Sequence, residues 1–125
     1  MSSKQHKIKV GISVGDFNGI GPEIIMKSLQ DKNITDFFTP IIFASGKLFT
    51  YQKNIFKLQQ TYHYITEVSQ AQHDKINMVN LWKDNVNVDL GKPTEESTKM
   101  AIDSLEAATT ALMNGEIDVL VTAPI

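Results

Sequence analysis

The glycine run Gly15, Gly19 and Gly21 constrains the fold of this chain more than any other feature. An apolar, alternating stretch (7–14) precedes it, and an amphipathic stretch opening with Pro22 follows it. Glycine adopts positive φ without strain and places no Cβ between the backbone and a ligand. Proline suits the first position of a helix, where its missing N–H costs nothing. The sequence therefore predicts a strand, a tight turn and a helix whose first amides point into the turn, where anions are favoured.

The glycine spacing leaves the role of this turn open. It is G-x-x-x-G-x-G, which is neither the dinucleotide fingerprint G-x-G-x-x-G nor the phosphate-binding G-x-x-x-x-G-K-[ST]. One interpretation is a turn whose glycines satisfy local geometry only. Asp16 is either a ligand for an amine or hydroxyl or an acceptor for turn amides, and Asn18 is either a substrate contact or a turn residue. Thr122 near the chain end is either a ligand contact or a helix cap.

Alternating strands and helices are predicted along the rest of the chain. Strand patterns occupy 39–44, 62–65, 76–82 and 117–125, and we expect the third of these to be half buried because it alternates. A helix near 48–58 is predicted to turn Leu48, Tyr51, Gln52, Ile55, Phe56 and Leu58 inward. A second helix begins after Thr94, a good N-cap, and ends at Asn114-Gly115; its predicted apolar face is Ala101, Leu105, Ala108 and Leu112. This order indicates a layered α/β fold with a mostly parallel sheet.

Composition excludes several classes of function. The net charge of -2 and the pI near 5.9 give no electrostatic basis for binding nucleic acid, and no apolar run is long enough to cross a membrane. The chain has no cysteine and no evident signal peptide, which favours the cytoplasm. The histidines His6, His63 and His73 lack the spacing of a metal site. We therefore predict no catalytic and no metal-ligating residue within this chain.

The candidate pocket follows from the sheet type. Ligands of open α/β sheets bind at the carboxyl ends of the strands. Two segments belong at that edge, the glycine turn and the tail 122–124. The predicted pocket-lining residues are Gly15, Asp16, Asn18, Gly19, Gly21, Thr122 and Pro124.

Three segments in order carry a resemblance to a known family. Residues 14–24 (VGDFNGIGPEI) are similar to the G-[DE]-x-x-G-I-G-P-E opening of the 4-hydroxythreonine-4-phosphate dehydrogenases. Residues 91–96 (GKPTEE) and 115–125 (GEIDVLVTAPI) resemble two later motifs of that family. The chain departs from the pattern at Thr98, where the family usually has glycine, and at Phe17-Asn18, where Pro-Ala is commoner.

The resemblance implies a fold like that of isocitrate and isopropylmalate dehydrogenases, a homodimer, and an active site between two domains. It implies oxidation of 4-phosphooxy-L-threonine by NAD or NADP on the route to pyridoxal phosphate, followed by loss of carbon dioxide. A divalent metal (Zn, Mg or Co) would polarise the substrate oxygen. The family's metal-binding histidines and main phosphate contacts lie downstream of the third motif.

We therefore expect residues 1–125 to be one domain, or an incomplete amino-terminal portion of a two-domain dehydrogenase without its carboxyl-terminal remainder. We expect this portion to be inactive alone and to bind neither cofactor. Two alternatives stay open: a stand-alone anion- or nucleotide-binding α/β module, and a dehydrogenase of the same family for another phosphorylated hydroxy acid.

Overall fold

A sheet of parallel strands forms the centre of the computed structural model, which describes residues 7–31, 33–82, 88 and 90–123. Its strands are β1 (Ile8–Ser13), β2 (Phe38–Ala44), β3 (His63–Ile65), β4 (Asn77–Asn80) and β5 (Val119–Thr122). The helices are α1 (Gly21–Ser28), α2 (Gly46–Ile55) and α3 (Glu95–Met113), with 3-10 turns at Ile34–Asp36 and Val68–Gln70. The strand order is β3-β4-β2-β1-β5, and every pairing is parallel. The predicted α/β class with a parallel sheet is confirmed.

Two apolar cores lie on opposite faces of the sheet. Alternate residues of β2 divide between them, with Ile42 facing α1 and α2 and Ile41 facing α3. Both side chains are fully buried. Burial on both faces explains why β2 is a continuous apolar run rather than an alternating one. The molecule is therefore three layers thick, with α1 and α2 on one side and α3 on the other.

The buried face of α3 differs from the predicted one. Ala101 and Ala108 are buried as expected, but Leu112 is exposed and Leu105 only partly buried. The buried positions are small residues at helical spacing, namely Ser97, Ala101, Ser104, Ala108 and Ala111. Small side chains let the helix axis approach the sheet closely, so the larger leucines turn to the flanks. The predicted Thr94 cap is confirmed, because its hydroxyl accepts a hydrogen bond from the Ser97 amide at 3.0 Å.

The helix α2 is shorter than predicted, and its predicted inward face is confirmed in part, since Phe56 and Leu58 just beyond the helix also pack against the core. Leu48 and Gln52 are buried as predicted, and Phe49 joins them, but Tyr51 and Ile55 are exposed. Lys57, with φ of 56°, stops the helix, and the Leu58 amide bonds back to the Lys53 carbonyl at 3.0 Å. Such a left-handed residue with a six-to-one bond is the usual way in which a helix ends.

The prediction of a half-buried strand at 76–82 was wrong for β4. The strand spans only Asn77–Asn80, and its first three residues are all buried. Met78 packs into the core on the side of α1 and α2 and Val79 into the core on the side of α3, so both faces of β4 are covered. Asn77 tolerates burial because its amide nitrogen faces the carbonyls of Pro40, Gln72 and Lys75 and its oxygen accepts from the Gln72 amide. An alternating polar residue can thus be a core residue when its hydrogen bonds are satisfied.

No helix in the described part of the chain has both the length and the apolar character needed to cross a membrane.

Candidate functional site

The crevice between β1 and β5 is where the chain changes direction across the sheet. From β1 the chain passes to β2 on one side, and after β4 it crosses by way of α3 to β5 on the other side of β1. Open parallel sheets bind ligands at such a switch point, beyond the carboxyl ends of the strands. The glycine turn follows β1 directly, and β5 ends beside it, where the Ala123 amide donates to the Ser13 carbonyl at 3.1 Å. The glycine turn and residues 122–123 of the tail therefore share one edge of the sheet, as predicted; residue 124 lies outside the described residues.

The glycine turn is closed by short-range hydrogen bonds. Gly15 has φ of 72°, a conformation in which other residues are strained. The Gly19 amide donates to the Asp16 carbonyl at 2.9 Å. The Asn18 amide donates to Asp16 Oδ1 at 2.8 Å, so Asp16 does bond a turn amide. The chain then enters α1, whose first turn contains Pro22 as its second residue, one position after the predicted one.

The side chains in the middle of the turn point into the protein. Asp16, Phe17 and Asn18 are 6%, 0% and 2% exposed. Phe17 packs in the core beneath α1 and α2, and its carbonyl accepts from Gln52 Nε2 at 2.8 Å. Gly19 is exposed, and Ile20 is 60% exposed. The part of the turn open to solvent is therefore Gly19 and Ile20.

The second motif segment packs against this turn. Asn18 Nδ2 donates to the Lys92 carbonyl at 3.0 Å, and the Gly91 amide donates to the Asn18 carbonyl at 2.7 Å. Ser97 Oγ donates to Asp16 Oδ2 at 3.0 Å. The segments 14–24, 91–97 and 119–123 thus meet at one end of the sheet.

The predicted pocket residues are distributed as follows. Gly15 and Gly21 are buried, whereas Gly19 and Thr122 are exposed at the carboxyl edge. Asp16 and Asn18 are buried within the turn. Pro124 lies outside the described residues. Contact of any of these residues with a ligand stays a prediction.

Three polar residues that hold the site were not predicted in this role. The sequence pattern indicates only a helix face for Gln52 and no particular role for Ser97 or Ser104. Ser104 Oγ accepts from the Val14 amide at 3.0 Å and donates to the Phe43 carbonyl at 2.5 Å, so it joins β1 to β2 where the strands end. The only sequence signal was the recurrence of both serines among the alanines of one helical stripe.

The described residues do not fit a metal ion. Among them there is no group of three or more histidine, cysteine, aspartate or glutamate side chains suited to holding one. His63 begins β3, and His73 Nδ1 lies 2.7 Å from Thr39 Oγ1, so both belong to the opposite, amino-terminal edge of the sheet. Tyr62 lies at that edge too, where burial raises the pKa of its phenol and keeps it a neutral donor to Gln60 Oε1.

Comparison with known proteins agrees with the three motifs. The family model described as "Pyridoxal phosphate biosynthetic protein PdxA" matches residues 36–125. A 4-hydroxythreonine-4-phosphate dehydrogenase from Bacteroides thetaiotaomicron is 37% identical over 122 residues, which are 98% of this chain and 34% of that protein. A protein from Cutibacterium acnes, provisionally named a D-threonate 4-phosphate dehydrogenase, is 28% identical over 93% of this chain and 35% of its own length. The chain thus spans about a third of the length of these curated relatives.

Solved structures share the fold. A 4-hydroxythreonine-4-phosphate dehydrogenase from Burkholderia phymatum superposes with a TM-score of 0.85 at 21% identity, over 93% of this chain and 36% of that one. The enzyme of the same name from Klebsiella pneumoniae gives 0.77 at 21% identity, over 94% and 36%. The expected dehydrogenase-like fold is therefore confirmed. With the family model covering well over half of its residues, this chain belongs to the PdxA family of pyridoxal phosphate biosynthetic proteins.

Proposed function

We propose that this chain is the amino-terminal part of a dehydrogenase that oxidises 4-phosphooxy-L-threonine with NAD or NADP on the route to pyridoxal phosphate. Family membership carries the proposal. The meeting of all three motif segments at the switch point between β1 and β5 supports it, because that is where open parallel sheets bind ligands.

The contribution of this chain to such an enzyme is one wall of a cleft. The exposed Gly19 has no side chain, so a ligand can approach its backbone closely. Hydrogen bonds of Asp16, Asn18 and Gln52 hold the turn in place. A divalent metal and the residues that hold it belong, in this proposal, to the part of the enzyme outside the described residues. We infer that the 125-residue chain alone is inactive and that the complete enzyme is a cytoplasmic homodimer of two-domain subunits.

The decisive experiment compares two proteins in one assay. The protein made from the complete reading frame and the 125-residue chain are each mixed with 4-phosphooxy-L-threonine, NAD or NADP, and Mg²⁺, Zn²⁺ or Co²⁺. We expect reduced nicotinamide to form with the former only. Turnover by the 125-residue chain would contradict its inactivity, and no turnover by either protein with any combination would contradict the assigned reaction.

A second candidate substrate is D-threonate 4-phosphate. The relative from Cutibacterium acnes supports it, since its provisional name specifies that substrate at 28% identity. The same assay with both substrates separates the candidates through the ratio of their kcat/KM values. We expect 4-phosphooxy-L-threonine to be preferred, because the relative named for it is more similar, at 37% identity.

A further inference from the structure

Two hydrogen bonds connect Asn18 to the loop that precedes α3. The Asn18 side chain donates to the Lys92 carbonyl at 3.0 Å, and the Asn18 carbonyl accepts from the Gly91 amide at 2.7 Å. In this loop Val88 packs against the core beneath α1 and α2, whereas residues 90–93 are exposed, so little apolar packing holds that last part of the loop. Segments with few buried apolar contacts open easily unless specific bonds restrain them.

A second connection runs through the Asp16 carboxylate. Oδ1 accepts from the Asn18 amide at 2.8 Å, and Oδ2 accepts from Ser97 Oγ at 3.0 Å. Ser97 also accepts from the Thr94 amide at 2.9 Å and thereby closes the N-terminal cap of α3. The Asp16 carboxyl group therefore connects the turn to the start of α3.

Burial makes a direct ligand contact the weaker explanation for Asp16. Its side chain is 6% exposed, and each carboxylate oxygen already accepts a bond from within the protein. The neighbouring Gly19 and Ile20 are exposed instead. A group that is turned inward and bridges two segments sets their relative position.

We propose that Asp16 and Asn18 are positioning residues that hold the segment 91–94 beside the glycine turn, where it forms a second wall of the predicted pocket. Asp16 acts through its bond to Ser97. Asn18 acts through its bonds to the backbone of residues 91–92. The segment held in this way includes Lys92, which is exposed. The kinetic part of this inference rests on the proposed dehydrogenase function; the structural part does not.

Hydrogen exchange on the 125-residue chain tests the structural part. We expect Asn18→Ala, Asp16→Ala and Ser97→Ala each to speed exchange of the Gly91 amide about tenfold, the effect of losing roughly one hydrogen bond, while amides of β2 keep their protection. Asp16→Asn keeps an oxygen that can accept from the Asn18 amide, and it serves as the second variant if Asp16→Ala fails to fold. We expect the Gly91 amide to exchange in Asp16→Asn nearly as slowly as in the unsubstituted chain. Lys99→Gln is the control, since Lys99 is exposed on α3 and forms its ion pair with Asp103 of the same helix. Unchanged Gly91 exchange in the folded variants would overturn the proposal.

Kinetics of the complete enzyme test whether Asp16 acts through Ser97. We expect Asp16→Ala and Ser97→Ala to raise the KM of the substrate or of NAD(P) by a similar factor of about ten, with kcat changed less than about threefold. The double variant should be no worse than the more affected single one, because residues acting through one contact are not additive. An additive double variant, or a loss of kcat confined to Asp16→Ala, would instead assign Asp16 a direct contact and overturn the positioning role. Absence of turnover in the unsubstituted enzyme would refute the proposed function and leave the exchange result to decide the positioning role.

Discussion

Single buried polar side chains connect the main-chain segments of this molecule. Ser97, Ser104 and Asn77 are each fully buried, and each bonds to main-chain groups or to another buried side chain. A buried polar atom that loses its partner costs about 1–3 kcal/mol, more than an average hydrogen bond contributes. Substitutions at these residues therefore have larger effects on stability than their size suggests.

Ser104→Ala should lower the free energy of unfolding by about 1–3 kcal/mol, because it removes the hydroxyl that bonds both the Val14 amide and the Phe43 carbonyl. Urea unfolding followed by circular dichroism measures the change. Thr110→Ala, an exposed position of the same helix, is the control and should change stability by less than about 0.5 kcal/mol. Equal effects of the two substitutions would show that the bridge between β1 and β2 contributes nothing.

Asn77→Asp should destabilise the protein by about 3–5 kcal/mol, because it replaces the amide that faces three carbonyls with a buried, uncompensated negative charge. Thermal unfolding near neutral pH is the measurement. The exposed Asn33→Asp carries the same charge change and serves as its control. A variant as stable as the control would mean that Asn77 is not held as described.

At the level of elements, the ends of α3 are set by local sequence, whereas its buried face is set by packing against the sheet. Its ends were predicted from local signals, and both are confirmed: Thr94 caps the start, and Gly115 with φ of 75° follows the end. Its buried face was predicted only in part, because the periodicity of leucine and alanine does not reveal that the sheet demands small residues. Helix ends are decided within a few residues of chain, whereas the buried face is decided by the neighbouring layer.

Gly115→Ala should cost about 1–2 kcal/mol, the penalty of placing a residue with a Cβ in a left-handed conformation. A Cβ added at Gly115 meets no atom within 4 Å, so the cost is one of backbone conformation alone. Gly115→Asn should cost less, since asparagine tolerates this conformation better. Denaturant melts of the two variants test the order; an alanine variant as stable as the parent would show that the end of α3 adopts another conformation.

At the scale of the whole molecule, the edge of the sheet formed by β5 is the more exposed to solvent. β5 pairs only with β1 among the described strands, and Val119 and Val121 are 44% and 48% exposed. Beside them a small apolar hollow opens between β5 and α1, lined in part by Ile24, Leu29 and Val121. An unpaired strand edge flanked by apolar side chains favours association with another chain.

We expect the 125-residue chain to self-associate in a concentration-dependent way and Val119→Lys or Val121→Lys to reduce this, because lysine on an edge strand opposes pairing. Sedimentation velocity over a concentration series measures it. Ile102→Lys on α3 is the matched control, being 50% exposed with the same change of charge. A monomeric parent at all concentrations would contradict the prediction, and so would equal effects of the β5 and α3 variants.

The sequence by itself determined the α/β class, the order and approximate bounds of the elements, the ends of α3, and the family, because these depend on hydrophobic periodicity, local capping and short motifs. It also placed the glycine turn and the end of β5 at one edge, since parallel strands share their carboxyl ends. Only the tertiary structure decided that β4 lies inside the sheet, that α3 turns small residues inward, and that Asp16 and Asn18 face the protein. Those outcomes depend on which segments, distant in the chain, meet: Asp16 and Ser97 are 81 positions apart, and no local pattern encodes their contact.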